Sequence, residues 1–534
     1  MVYSASVRLT IIAALSLVLV GSLRIASTYK VLSFTIDEPG HFACGLEFLS
    51  KHVYRYETQH PPLARVMIAL LPYLTGVRPV NDPNRNVEGR AVILRSGHPG
   101  RTLALMRLGT LPFFWLACLV VFVWGRHYFG DYMGLAALGL FTLLPPVLAH
   151  AGMACTDMAL GAGVSAAFLA LCIWSESSNM VLAVAVGVTT GLAVLSKFTA
   201  LLYLPWVAAM ALFFYLVSVR PSRSKVALLI RERVPGFALA VFTGAIVVWG
   251  GYLFSFGRVA AWNLSLPAPE LFDGLLAARA HDQYGHPAYL LGMFSMHGWW
   301  YYFPVVLAVK TPIAFLLLAG VGVYACVRDF ARARARIPLA FSLGILIPAM
   351  AGHVDIGVRL ILPLYVSLAV LSAVGLLRLA RVRAGRVVAG ALLVWICVSG
   401  ALSHPDYLAY FNEFARHAPD HVLVDSDLDW GQGTVLVARR LRELKAQHVA
   451  AMMLEPLTLP IPIEKDLQHY YELPEVRPVD VLSATEGWSA ISPTVARTLG
   501  LKVKPWYEKR PPTETVGDVW LYYVPPRDSR QAAR

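Results

Sequence analysis

The feature that most constrains this chain is a succession of long apolar runs. Read against the ~17 to 25 residues needed to cross a bilayer, they fall at 9–28, 103–124, 132–148, 158–173, 180–196, 200–217, 235–254, 302–327, 337–350, 360–377 and 387–403. Runs 180–196 and 200–217 lie close enough to merge, and 337–350 is short for a span. Composition agrees: of 534 residues 57% are hydrophobic and only 15% charged, and mean hydropathy is +0.58. A soluble globule of this length cannot bury so much apolar surface, and neither a disordered chain nor a disulfide scaffold has this composition. The expected fold is therefore a polytopic α-helical membrane protein with about eleven transmembrane helices. The first run follows Arg8 as a signal peptide would, but it is long, carries Arg24 and has no A-x-A-type cleavage site, so it reads as a retained helix.

Charge divides the chain in two. Residues 405–534 hold 15 basic and 18 acidic residues and have ordinary soluble composition, whereas 1–404 carries the excess that makes the whole chain +13. We expect a transmembrane domain over 1–404, with a long first outer loop at 29–102, and a soluble domain over 405–534. If the N-terminus is inside, the short loops on that side hold fifteen basic residues against four acidic ones. They are Arg8, Arg126, Arg220, Arg223, Lys225, Arg231, Arg233, Arg328, Arg332, Arg334, Arg336, Arg378, Arg381, Arg383 and Arg386, against Asp131, Glu176, Glu232 and Asp329. That bias is the usual orientation signal. It puts the C-terminal domain on the outer face and removes any need for a nucleic-acid partner to explain the charge.

The other face gathers a different set: Asp37, Glu38, His41, His60, Asp157, Lys197, Asp282, His286, His353, Asp355 and Arg359. Ionisable groups at membrane depth are costly and mark sites or pathways. In Thr-Ile-Asp37-Glu38-Pro39-Gly40-His41, two carboxylates precede a proline at the first turn of an amphipathic segment. Asp37 reads either as an N-cap or, with Glu38, as general base and acceptor orienter. His60, before Pro61-Pro62, is a surface or capping histidine when taken alone. Asp157 is a cap or a second site carboxylate. Lys197 either snorkels to headgroups or faces a phosphate. Arg359 opens an outer helix end against both the charge bias and the helix dipole, which an anionic ligand or a salt bridge to Asp355 would explain.

These residues resemble a known set. Asp37-Glu38 in the first outer loop, Asp157 after a small-residue turn, Gly-Leu-Ala-x-Leu-x-Lys197, Val309-Lys310-Thr311-Pro312 and Ile356-Gly-x-Arg359-x-Ile-Leu-Pro363 are similar to GT-C glycosyltransferases of family 39. That family includes protein O-mannosyltransferases, lipid A aminoarabinose transferases and bacterial phospholipid-carrier-dependent enzymes. Pro405-x-Tyr407-Leu-Ala-Tyr410-Phe-Asn412-Glu413 and Val424-Asp425-Ser426-Asp427-Leu-Asp429-Trp430-Gly431-Gln432 look like its bacterial subgroup, with Asp427 where an Asn is frequent.

The resemblance implies a GT-C-like fold and inverting transfer of a sugar from a polyprenyl-phosphate donor to a hydroxyl acceptor (lipid, glycan or protein) on the periplasmic face of a bacterial inner membrane. Carried over residue by residue, Asp37 is the base and Glu38 positions the acceptor or the developing cation, with Asp157 as a further catalytic candidate. Lys197, Arg359 and Lys310 meet the phosphate whose charge grows in the transition state, and His41 and His60 contact substrate. No cofactor is required by this chemistry, although a divalent cation is compatible with it.

The remaining signals are weaker. The 405–534 region reads as α/β, with strands near 421–424, 449–454 and 518–524 and helices at 434–446 and 493–499. Asp425, Asp427 and Asp429 alternate as in part of a Ca²⁺ loop but lack its glycine and terminal glutamate, so loop capping is the other reading. Cys44 and Cys155 both fall near the outer face, where an oxidising compartment would let them pair. Two other functions stay open, a secondary transporter and a lipid-linked polysaccharide ligase or polymerase. A transporter would place its charges near the midplane, usually in repeated halves, and no internal repeat is present.

Overall fold

A computed structural model describes residues 5–526 except 260, 329–335, 456, 458–462 and 502. The Asp329, Arg332 and Arg334 used in the orientation count lie outside the described residues. All eleven apolar runs are largely helical, and the helical bundle with a C-terminal sheet region expected from the sequence is the one observed.

Helix length changes the span count. Among the described residues, six helices are long and apolar enough to cross a membrane: Val7–Ala26, Pro99–Phe129, Asp157–Ser177, Thr199–Val219, Arg223–Gly251 and Arg383–Leu402. Two bent pairs, Asp131–Phe141 with Pro145–Ala151 at 72° and Tyr302–Lys310 with Ile313–Arg328 at 116°, raise this to eight if each is one span. The bends fall where the sequence breaks helices, at Pro145-Pro146 and Thr311-Pro312. The runs expected as spans at 180–196, 337–350 and 360–377 form shorter apolar helices of 17, 13 and 16 residues. The 180–196 and 200–217 runs do not merge, because Lys197 adopts an extended backbone that ends Met180–Ser196. The segment read as an inner loop at 219–234 is largely the first three turns of the 29-residue helix Arg223–Gly251.

Small residues set how closely the helices meet. Gly187 and Gly191, one turn apart, face Ala240, Gly244 and Val247, and a Cβ at Gly187 would stand 2.4 Å from the Ala240 carbonyl. Such contacts replace the hydrophobic drive that lipid cannot supply.

The C-terminal region carries one five-stranded mixed sheet, ordered Glu475–Pro478, His448–Met452, Gly487–Ile491, Val519–Val524, Glu514–Val516, with the first two pairings parallel and the last two antiparallel. The expected helices at 434–446 and 493–499 and strands at 449–454 and 518–524 are present within a few residues. The strand expected at 421–424 is instead a 3-10 turn, Pro419–His421, and irregular chain. Three strands and the helix Glu464–Tyr471 were not signalled, since short polar strands lack clear alternation.

Residues 405–433 are not a free linker. Ser33 and Ile36 donate backbone bonds to the carbonyls of Gln432 (2.9 Å) and Trp430 (3.0 Å), so this segment lies along the chain that leads into Asp37.

Candidate active site

Asp37 precedes the helix Glu38–Lys51 but does not cap it: its side chain accepts no backbone N–H there. It accepts from Arg359 Nη1 at 2.8 Å, and its side chain is 38% exposed, so the carboxylate is both paired and reachable. Burial raises its pKa, but the Arg359 guanidinium outweighs this and holds the carboxyl below the usual carboxylate range.

Arg359 is placed by a local device. Gly357 sits at φ +106°, a conformation open to glycine, and a Cβ there would stand 2.8 Å from Ser426 Oγ. The turn lets Val358 N–H donate to Asp427 Oδ1 (3.0 Å) and lays the Arg359 guanidinium 4.3 Å from the centre of the Trp430 ring. Arg359 is buried, and its Nε has no hydrogen-bond partner among the described residues. The salt bridge considered from sequence, Arg359 to Asp355, is not made. Asp355 instead accepts from Trp299 N–H (2.7 Å), and burial pushes its carboxyl up to about 7.

A second ion pair joins the next two candidates. Lys197 Nζ donates to Asp157 Oδ1 at 2.6 Å. Asp157 is the first residue of Asp157–Ser177 and Lys197 ends Met180–Ser196, so the hairpin brings them together. Lys197 therefore does not snorkel to headgroups, and Asp157 is a paired carboxylate rather than a cap.

His41 and His60 meet edge to face with ring centres 5.2 Å apart. Both are organised by Arg65, which the sequence reading missed. Arg65 Nε donates to His41 Nδ1 (3.1 Å), which leaves the ring proton on Nε2. Its other donors reach Tyr54 Oη and the Glu57 carbonyl, each at 2.8 Å, and the Glu57 carboxylate, which Arg85 and His60 also approach. Burial, then the Arg65 charge, holds the His41 imidazole well below its ordinary pKa, so it is neutral at pH 7. Burial lowers His60 too.

Two candidates stand elsewhere. Glu38 is fully buried, with Arg107 Nε and Nη2 bidentate on it at 2.8 and 2.9 Å and the backbone N–H groups of Thr35 (2.7 Å) and Ala154 (2.8 Å) on the same oxygens. The expected contact with acceptor is not available to a carboxylate so saturated. Lys310 donates to the carbonyls of Leu408 (2.7 Å) and Asp427 (2.5 Å) and packs 4.1 Å from the Phe411 ring centre. In both, neighbours distant in sequence engage the side chain.

Arg107 was legible in principle, since an arginine inside an apolar run must find a partner. His150 was also missed. It is fully buried, with neither ring nitrogen bonded, in the electrostatic field of Asp157, Arg359, Lys310 and Lys197.

The aspartates of the 425–429 segment do not converge. Asp427 faces Val358, Asp429 accepts from Gly431 N–H and the Ser492 hydroxyl, and Asp425 approaches His286 Nε2 at 4.0 Å. Among the described residues no group of three or more His, Cys, Asp or Glu is arranged to hold a metal ion. Cys44 and Cys155 are both buried free thiols.

Six to eight helices long and apolar enough to cross a membrane, with the Asp37–Arg359 and Asp157–Lys197 pairs at helix ends, define a multi-pass membrane protein with a polar site at one end of its spans. The fold is similar to that of ArnT from Cupriavidus metallidurans bound to undecaprenyl phosphate, with a TM-score of 0.52 and 13% identity over 95% of this chain and 97% of that one. The apo state of the same protein gives 0.50 and 14%, over the same shares of the two chains. The archaeal oligosaccharyltransferase AglB from Archaeoglobus fulgidus, in complex with an inhibitory peptide and a dolichol-phosphate, gives 0.47 and 13%, covering 89% of this chain and 62% of that one. No family model and no curated protein matches the sequence. The likeness to ArnT is one of fold.

Proposed function

We propose that the chain is a membrane glycosyltransferase that moves a sugar from a polyprenyl-phosphate donor to a hydroxyl acceptor, with inversion, at the outer face of a bacterial inner membrane. The observation that carries this reading is the Asp37–Arg359 pair beside Asp157–Lys197, an accessible carboxylate among cations, in a fold shared with a protein that was crystallised with undecaprenyl phosphate.

In this reading the acceptor oxygen attacks the anomeric carbon and Asp37 takes its proton. The bond from that carbon to the phosphate oxygen breaks, and the electron pair stays on the lipid phosphate. Arg359 and Lys197 neutralise the charge that grows there, which is where preorganised cations lower a barrier most. The ion pairs add a coupling. An incoming phosphate competes with Asp37 for Arg359, so donor binding loosens the interaction that holds Asp37 weakly basic. Its basicity rises once the donor is in place.

His41, with its proton on Nε2, and His60 serve the acceptor side, held by Arg65. Asp157 keeps Lys197 charged and aimed. Glu38, locked on Arg107, fixes the start of the helix that presents Asp37. Residues 1–404 form the catalytic domain, and 405–534 form a periplasmic domain whose 425–432 segment closes the site through Trp430. A reporter fused after Arg534 is expected on the periplasmic side.

The sugar and acceptor are read by mass spectrometry of lipid-linked sugars and glycans in a deletion strain. Accumulation of one polyprenyl-phosphate sugar with loss of one glycosylated product supports the proposal and names both substrates. Unchanged donor pools, or loss of a polymer with no monosaccharide donor accumulating, would favour a transporter or a ligase instead.

A further inference from the structure

The end of the bundle opposite Asp37 contains a cavity of about 540 Å³, within the range of built small-molecule sites. It lies where Asp157–Ser177, Thr199–Val219 and Ile337–Ala349 meet the first half of Arg223–Gly251. The cause is local packing. Arg223–Gly251 leans on Met180–Ser196, whereas Thr199–Val219 leans on Ile337–Ala349, so the two helices joined by the 220–222 turn leave a wedge between them. Ala208, Ala211 and Ala340 line the wedge and are too small to fill it, while Phe168 and Leu212 make its walls apolar.

The charged residues of the lining are Arg233 and Glu176. Arg233 donates two N–H groups to the last carbonyls of Asp157–Ser177, Trp174 (2.9 Å) and Ser175 (2.8 Å), and stacks 5.5 Å from the Trp174 ring centre. This fixes the guanidinium at the mouth with further N–H donors to spare. The neighbouring carboxylate, Glu176, is engaged by His127 Nε2 at 3.0 Å. Arg220, Arg223, Lys225 and Arg231 stand on the same helix ends and add positive charge around the opening.

We propose that this cavity is a lipid site, separate from the catalytic end, which takes one acyl chain of an anionic phospholipid with its phosphate on Arg233. Two observations select that occupant. A lining made mostly of Phe, Leu, Ile and Ala side chains suits a hydrocarbon chain, and an unfilled void of this size would forfeit the contacts of every atom lining it. A fixed arginine among basic residues that outnumber Glu176 and Glu232 suits an anionic headgroup at the bilayer surface. The site does not depend on the glycosyltransferase reading.

The test is native mass spectrometry of the full-length protein in detergent, titrated with phosphatidylglycerol or phosphatidylcholine. The wild type is expected to hold one phosphatidylglycerol at least 10-fold more tightly than phosphatidylcholine. Ala211→Trp, which fills the wedge, should lose that tight lipid, and Ala208→Phe serves if the first variant does not fold. Arg233→Gln should cut the preference for the anionic lipid about 10-fold, while Arg477→Gln, at an exposed position in the C-terminal sheet, should leave it unchanged. Equal lipid retention in the filled variant, an unchanged preference in Arg233→Gln, or undecaprenyl phosphate displacing phosphatidylglycerol from the same site would overturn the proposal.

Discussion

The Arg359 guanidinium donates to the Asp37 carboxylate at 2.8 Å across 322 residues of chain, while its other face rests on Trp430. Three segments thus meet at one point: the first outer loop, the glycine turn before the helix Leu364–Leu379, and the 425–432 segment. Arg359→Ala is expected to weaken binding of undecaprenyl phosphate about 10- to 100-fold, the loss of one or two hydrogen bonds to a charged group. Quenching of tryptophan fluorescence in the purified protein reads it. Unchanged affinity would move the phosphate contact elsewhere.

The pair also sets a pH dependence. With its pKa held below the usual ~3.9 of an aspartate, Asp37 is ionised throughout the range above pH 5. In the wild type, kcat/KM should therefore show no acid limb from this group above pH 5. Without Arg359 the burial effect is unopposed and the pKa rises, so Arg359→Ala should bring an acid limb into the measured range. The same depression means that the pair's contribution to stability is present above the unfolded pKa and is lost as pH falls through the folded one. A pH profile identical in the two proteins would separate Asp37 from Arg359 in function.

Glu38 and Arg107 make a different prediction. Both are buried and fully engaged, so Glu38→Gln leaves a buried guanidinium without its counter-charge, at a cost of about 3–5 kcal/mol. The expected result is a marked fall in melting temperature and expression. A variant as stable as wild type but inactive would restore Glu38 to a contact with substrate.

Asp427 occupies the position where the resembling bacterial sequences often carry Asn, and burial pushes its carboxyl up to about 6. A carboxyl raised above its unfolded value binds its proton more tightly when folded. Stability therefore falls as pH rises from about 4 to about 6 and stays low above that. Asp427→Asn keeps the bond from Val358 N–H and removes the buried charge, so it should raise the melting temperature at pH 7.5 and leave it little changed at pH 4. Destabilisation at pH 7.5 would mean that the ionised carboxylate, close to Lys310, is the form the fold prefers.

Much of this was legible before the structure. The apolar runs announced the membrane bundle, and the short list of outer charges contained Asp37, Asp157, Lys197 and Arg359. Pairing was not legible, because it depends on which helix ends meet. The spacing of Asp37 and Arg359 says nothing of their contact, and Asp355, four residues from Arg359, looked the nearer partner. Roles followed pairing: Glu38 and Lys310 carry the right chemistry but are consumed by Arg107 and by the carbonyls of Leu408 and Asp427. Arg65 was hidden for the opposite reason, since an arginine on an amphipathic segment reads as an interfacial charge although here it is fully buried. Bends and short helices were not legible either, and they leave six to eight described helices long and apolar enough to cross where about eleven spans were expected.

The most direct test of the account is complementation of a deletion strain with Asp37→Asn, with lipid-linked sugars quantified by mass spectrometry and membrane insertion checked by immunoblot. Asn keeps the size of the side chain and cannot take a proton, and loss of a general base costs ~10²- to 10⁴-fold. The account predicts that the variant inserts normally and that the donor accumulates as in the uncomplemented strain. Donor and product at wild-type levels would contradict it.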